Sequence, residues 1–118
     1  SEAIFFNPEV TRDFIYVDDI VDAVIISLQR IQGRENVKQS EVFNLGSGTA
    51  TSIREVINLL VNILNVSKPI RYDVNTKPSH QGDNDHQADL TKIKTCLGWS
   101  PRMPLEKGLR ELIRSLAQ

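Results

Sequence analysis

The chain has 118 residues, 40% hydrophobic and 25% charged, an ordinary composition for a water-soluble protein with length for one modest core. A formal net charge of -1 excludes a global attraction for nucleic acid or an anionic membrane, so any anion site has to be local. One cysteine, Cys96, excludes an internal disulfide and a thiolate zinc cluster; the apolar runs are far short of a membrane span, no signal-peptide pattern opens the chain, and a reducing cytoplasm is the expected location.

Ala3 to Phe6 is a small apolar cluster broken by Asn7-Pro8, which predicts a strand near 4–6 ending in a turn. Phe14 to Val17 alternates aromatic with β-branched residues and predicts a short, largely buried strand over 13–16. Asp18 and Asp19 follow as short acceptors able to cap a helix over 18–32. That helix places Val21, Val24, Ile25 and Leu28 on one face, while Ile20, Ala23 and Ile26 widen the apolar surface, so it calls for neighbours on two sides. Arg12 stands immediately before this unit, where its planar guanidinium would be held in place to meet phosphate oxygens. A surface salt bridge to a nearby aspartate is the plainer reading of the same residue.

Gln32 to Gln39 is polar, with Gly33 near its head, and reads as a helix stop and a surface loop. Glu41 to Gly48 predicts a buried strand over 42–45 that ends in glycines. Ser52 and Glu55 stand at capping-box spacing and open a helix over 52–65, with Ile53, Val56, Ile57, Leu60 and Leu64 at core spacing. Gly46-Ser47-Gly48 lacks both the rest of a Gly-x-Gly-x-x-Gly fingerprint and a Walker lysine, so it reads as a plain turn.

A strand is predicted over 69–73, with Ile70, Tyr72 and Val74 on one side, followed by the polar segment Asn75 to Gln87. His80, Asp83, Asp85, His86 and Asp89 match no helical or hairpin spacing for metal ligands, so no metal site is assigned. Asp89 is instead the expected cap of a helix over 89–97 that Gly98 terminates. Trp99 is expected to anchor between helices, and Pro104 suits the first turn of a last helix over 104–117.

The run from Asn7-Pro8-Glu9 through Thr11-Arg12-Asp13-Phe14 and Tyr16-Val17-Asp18-Asp19 to Ala23 closely resembles the C-terminal part of extended short-chain dehydrogenase/reductase enzymes acting on nucleotide sugars. Phe43-Asn44-Leu45-Gly46, Ala88-Asp89-Leu90-Thr91-Lys92 and Leu97-Gly98-Trp99-Ser100-Pro101 continue the resemblance, which departs from the family at Phe6, where a glycine is common. It implies a small mixed α/β unit of about four helices and short strands, with 1–118 as the C-terminal substrate-binding portion and the Rossmann domain absent. Among the 4-epimerases and 4,6-dehydratases it most resembles, Arg12 would meet the diphosphate of a UDP- or dTDP-sugar, and His80 or His86 would stand where the family loop carries an arginine.

The family's chemistry uses NAD on a glycine-rich turn and a Tyr-x-x-x-Lys pair in which the lysine lowers the pKa of the tyrosine. Tyr16 is followed four residues later by Ile20, and Tyr72 by Thr76, so the chain contains no such pair. The resemblance thus implies catalytic and cofactor-binding residues outside this chain, no cofactor within it, NAD in the full-length parent, and an inactive fragment. The implied partners are the nucleotide-sugar substrate, the missing N-terminal Rossmann domain and a second parent subunit in a homodimer, with no nucleic acid and no membrane. A non-catalytic nucleotide-sugar sensor or a stand-alone interaction module derived from the family remain the alternatives.

Overall fold

The computed structural model describes residues 2–32, 40–75 and 85–118. In chain order the elements are β1 (Ala3–Phe6), β2 (Thr11–Asp13), α1 (Val17–Ile31), β3 (Ala50–Ser52), α2 (Ile53–Leu64), β4 (Ile70–Asp73), α3 (Thr91–Leu97) and α4 (Leu105–Leu116). This is the mixed α/β class expected from the sequence. Of the loop expected over Gln32 to Gln39 all but Gln32 lies outside the described residues, and so do His80 and Asp83.

β1 and β4 pair in parallel, with Phe5 opposite Tyr72, and α2 lies over the pair with Ile57 buried. Parallel neighbours need a long connection, and here it contains both other strands and two helices. The turn after β1 takes its left-handed residue at Asn7, φ 50°, which leaves Phe6 extended at the strand end. Asparagine tolerates that conformation far better than an aromatic residue does.

β2 and β3 form the other sheet, antiparallel, with Thr11 opposite Ser52, Arg12 opposite Thr51 and Asp13 opposite Ala50. This pairing corrects two expectations. The strand expected over 13–16 lies at 11–13, and residues 42–45 form no strand. A strand persists only where a neighbour satisfies its backbone. The Val42 carbonyl instead accepts from the Lys92 ammonium at 2.8 Å, and Val42 is 77% exposed. By contrast, the β2–β3 pairing carries on into α2. Ile53 N–H donates to the Val10 carbonyl at 3.1 Å and Arg54 N–H to the Pro8 carbonyl at 2.9 Å, so two amides that a helix start leaves free find partners on the opposite segment. The expected capping box is present, with Ser52 and Glu55 each accepting from the other's backbone.

Ala23, Leu90, Ile93 and Trp99 form the buried core, with Ile15, Ile26, Phe43, Ala88 and Leu97 packed around it. Asp19 does not cap α1 as expected, and neither does Asp18: the N-cap is Tyr16, and no side chain bonds there. Asp19 turns inward, where its carboxylate accepts from Arg102 N–H at 3.1 Å and Met103 N–H at 2.9 Å. α3 starts at Thr91 with Leu90, not the expected Asp89, as its N-cap; Asp89 instead accepts from Thr91 N–H at 2.9 Å just before it, and α3 stops at Gly98 in the left-handed conformation.

The inner side of α1 is made by Asp19, Ala23 and Ile26, while Val17, Val21, Val24, Ile25, Leu28 and Ile31 are each 46–59% exposed. The chain is flat, 60 × 39 × 19 Å, with a radius of gyration of 18.1 Å. A closed domain of this length would have about 13–14 Å. The elements therefore cover one side of α1 and leave the other open.

Candidate functional site

The β2–β3 pair carries Arg12, and the segment 85–88 lies along the free side of β2. Thr11 N–H donates to the Asp85 carboxylate at 2.9 Å, and the Thr11 carbonyl accepts from His86 N–H at 3.3 Å. Arg12 Nη1 donates to the same carbonyl at 2.8 Å. Arg12 and His86, chosen separately from the sequence, thus converge on one peptide group. His80, the third residue chosen, lies outside the described residues.

Two carboxylates organise this rim. The Asp85 carboxyl is held below its ordinary pKa first by the Thr11 backbone and hydroxyl, against an opposing desolvation, and then by the positive charge of Arg12 and by His86. Asp13 accepts from Ser47 N–H at 2.6 Å, Gly48 N–H at 2.9 Å and Ala88 N–H at 3.0 Å. Partial burial pushes the Asp13 pKa up, but the Ser47 hydroxyl and the Ala88, Ser47 and Gly48 amides together pull it below the ordinary carboxylate value. Gln87 adds a further tie, its amide donating to the Gly48 carbonyl at 2.7 Å.

Sequence reasoning singled out neither Asp13 nor Gln87, and weighed Gly46 only as part of a Gly46-Ser47-Gly48 turn. Asp13 lies within the Thr-Arg-Asp-Phe motif, yet its partners are 34 to 75 residues away in sequence. No local spacing reports such a junction. Asp85 was weighed only as a metal ligand, and among the described residues no group of three His, Cys, Asp or Glu side chains could hold a metal ion.

Arg12 places a delocalised cation on a paired strand, with its Nη1 donating to the Thr11 carbonyl. Tyr72 donates to the Asn58 side chain at 2.9 Å and lies under the Arg54 guanidinium at 4.2 Å, contacts that hold α2 on β4. The Gly46-Ser47-Gly48 turn does not fit a dinucleotide pyrophosphate. It leads into β3 and not directly into a helix, and its Ser47 and Gly48 amides already donate to Asp13.

The described residues form a mixed α/β unit with two two-stranded sheets and four helices, and Arg12 lies on the short antiparallel pair. The chain belongs to the extended short-chain dehydrogenase/reductase family that acts on nucleotide sugars: the family model described as GDP-mannose 4,6 dehydratase matches residues 1–112. It is 34% identical over 116 residues to dTDP-L-rhamnose 4-epimerase of Burkholderia thailandensis, covering 98% of this chain and 30% of that protein. It superposes on the Thermotoga maritima UDP-glucose 4-epimerase solved with UDP-glucose, with a TM-score of 0.74 and 33% identity, covering 100% of this chain and 36% of that one. A GDP-mannoheptose C4 reductase from Campylobacter jejuni, solved with NADP bound, gives a TM-score of 0.80 at 25% identity, covering 100% of this chain and 35% of that one. The chain thus spans about a third of the length of the relatives it matches.

Proposed function

We propose that the chain is the substrate-side portion of an NAD-dependent nucleotide-sugar epimerase or dehydratase, holding the diphosphate of a UDP- or dTDP-sugar. Arg12 carries this reading, because the β2–β3 pair and the 85–88 segment fix its backbone from two sides. The His86 backbone N–H shares the Thr11 carbonyl with the Arg12 guanidinium, so the segment bearing His86 runs beside the strand bearing Arg12. The family's oxidation chemistry is supplied by NAD and a Tyr/Lys pair in the remainder of the longer protein, and this portion binds and orients the substrate.

The test is Arg12→Ala in the longer protein, with nucleotide affinity and thermal stability measured together. Affinity for UDP or dTDP is expected to fall by about 1.5–3 kcal/mol, the range for a hydrogen bond to a charged group. Arg12→Lys is expected to restore only part of it, because a point charge cannot reproduce bidentate geometry. Unchanged affinity with a lowered melting temperature would return Arg12 to the role of a structural ion-pair partner. Nucleotide-sugar binding without turnover by the longer protein would favour the sensor over the enzyme.

A further inference from the structure

We propose that Asp13 is the positioning residue of the diphosphate site, the group that joins the Gly46–Gly48 turn and the 85–88 segment to the strand carrying Arg12. The inference rests on the reading of Arg12 as the diphosphate contact.

Three segments distant in sequence meet at one carboxylate. Oδ1 takes the Ser47 amide, while Oδ2 takes the Gly48 and Ala88 amides, at distances of 2.6, 2.9 and 3.0 Å. An ionised carboxylate offers acceptors only, so it satisfies all three donors at once. Asparagine has nearly the same shape, but its amide nitrogen would face an N–H group on one side. Because the Asp13 backbone belongs to the β2–β3 ladder, a shift of its carboxylate moves Ala88 relative to Arg12 on the adjacent residue. Thr11 holds the same segment three and two residues earlier, at Asp85 and His86. The 85–88 segment is thus fastened to β2 at both ends, and Asp13 is the end that also captures the glycine turn.

Gly46 is built for this junction. A methyl group there would come within 2.6 Å of Asp13 Oδ2 and 2.5 Å of the Ala88 Cβ, and the residue is buried. Contacts that short force a displacement. Gly46→Ala therefore pushes the carboxylate away from its amides without altering its charge, whereas Asp13→Asn alters the charge with little change of shape. Two unlike substitutions address one position.

The experiment uses the 118-residue chain, labelled with ¹⁵N and titrated with UDP, comparing wild type with Asp13→Asn, Gly46→Ala, Arg12→Ala and Leu60→Ala in α2. Asp13→Asn and Gly46→Ala are each expected to weaken UDP by about tenfold or more, in step with Arg12→Ala. Leu60→Ala lowers stability away from the junction and is expected to leave UDP affinity unchanged. In the ligand-free chain, Asp13→Asn is expected to move the Ser47 amide proton upfield. It should also speed hydrogen exchange at Ser47, Gly48, His86 and Ala88 more than in α2. Wild-type UDP affinity in Asp13→Asn overturns the proposal, and so does an equal loss in Leu60→Ala, which would reduce the effect to general destabilisation. If UDP does not bind the wild-type chain, or binds Arg12→Ala equally well, the diphosphate reading fails on its own. The exchange arm then decides whether Asp13 positions the segment, and unchanged exchange at His86 and Ala88 in Asp13→Asn sinks it.

Discussion

Trp99 donates its indole N–H to the main-chain carbonyl of Asp19 at 3.1 Å, across 80 residues of sequence. The Asp19 carboxylate holds Arg102 and Met103 by their amides, so one residue of the first turn of α1 fixes the approach to α4. Trp99→Ala is expected to cost about 3–5 kcal/mol, the range for emptying a large buried aromatic site. Asp19→Ala leaves two part-buried amides without partners and is expected to cost about 1–3 kcal/mol. Urea denaturation measures both, and a loss below half a kcal/mol in Trp99→Ala would show that the core does not depend on this anchor.

Asp13 predicts an acid limit to stability. Its folded pKa lies below the ordinary carboxylate value near 3.9. The contribution is therefore complete above that value and is lost as pH falls through the folded pKa. Asp85 and Asp89, shifted in the same direction by exposed hydrogen bonds, add to the slope in that window. Urea midpoints between pH 7 and pH 2.5 are expected to fall less steeply in Asp13→Asn than in wild type. An identical slope in the two proteins would assign the acid limit to other groups.

The outer face of α1 predicts self-association of the isolated chain. Val21, Ile25 and Leu28 are 48, 46 and 56% exposed on one contiguous apolar strip, and such strips mark association surfaces. Sedimentation is expected to show a concentration-dependent rise in mass that Ile25→Glu abolishes. Because the face is open, that substitution should change stability by only about half a kcal/mol. A monomer at the highest concentrations reached would mean that the strip is tolerated in water.

No binding of NAD by the chain is expected in calorimetry. The Ser47 and Gly48 amides that could face a pyrophosphate are taken by Asp13 at 2.6 and 2.9 Å. A pyrophosphate at this turn would first have to displace the Asp13 carboxylate from both amides. Micromolar heat of binding with NAD would overturn this reading of the turn.

Local chemistry was legible in the sequence at several places where the partners lie within a few residues of each other, though not at the start of α1, which neither Asp18 nor Asp19 caps. The Ser52–Glu55 capping box, the Gly98 stop and the four helix positions follow from backbone needs that neighbouring side chains meet. The family resemblance, carried by motifs such as Thr11-Arg12-Asp13-Phe14, was equally legible. What tertiary structure alone decided were the pairings: β2 with β3, Asp19 with Arg102 and Met103, and Asp13 with two segments. The strand expected over 42–45 shows why, since its β-branched and aromatic residues suit a strand but among the described residues no strand pairs with it. The same holds for α1, whose sequence declares two apolar sides without saying which one the chain itself covers. Small Ala23 lets α3 and Trp99 approach closely, so the inner side is theirs and the larger Val21, Ile25 and Leu28 stay outside. Burial is a property of the whole assembly, and periodicity along one helix cannot choose between its faces.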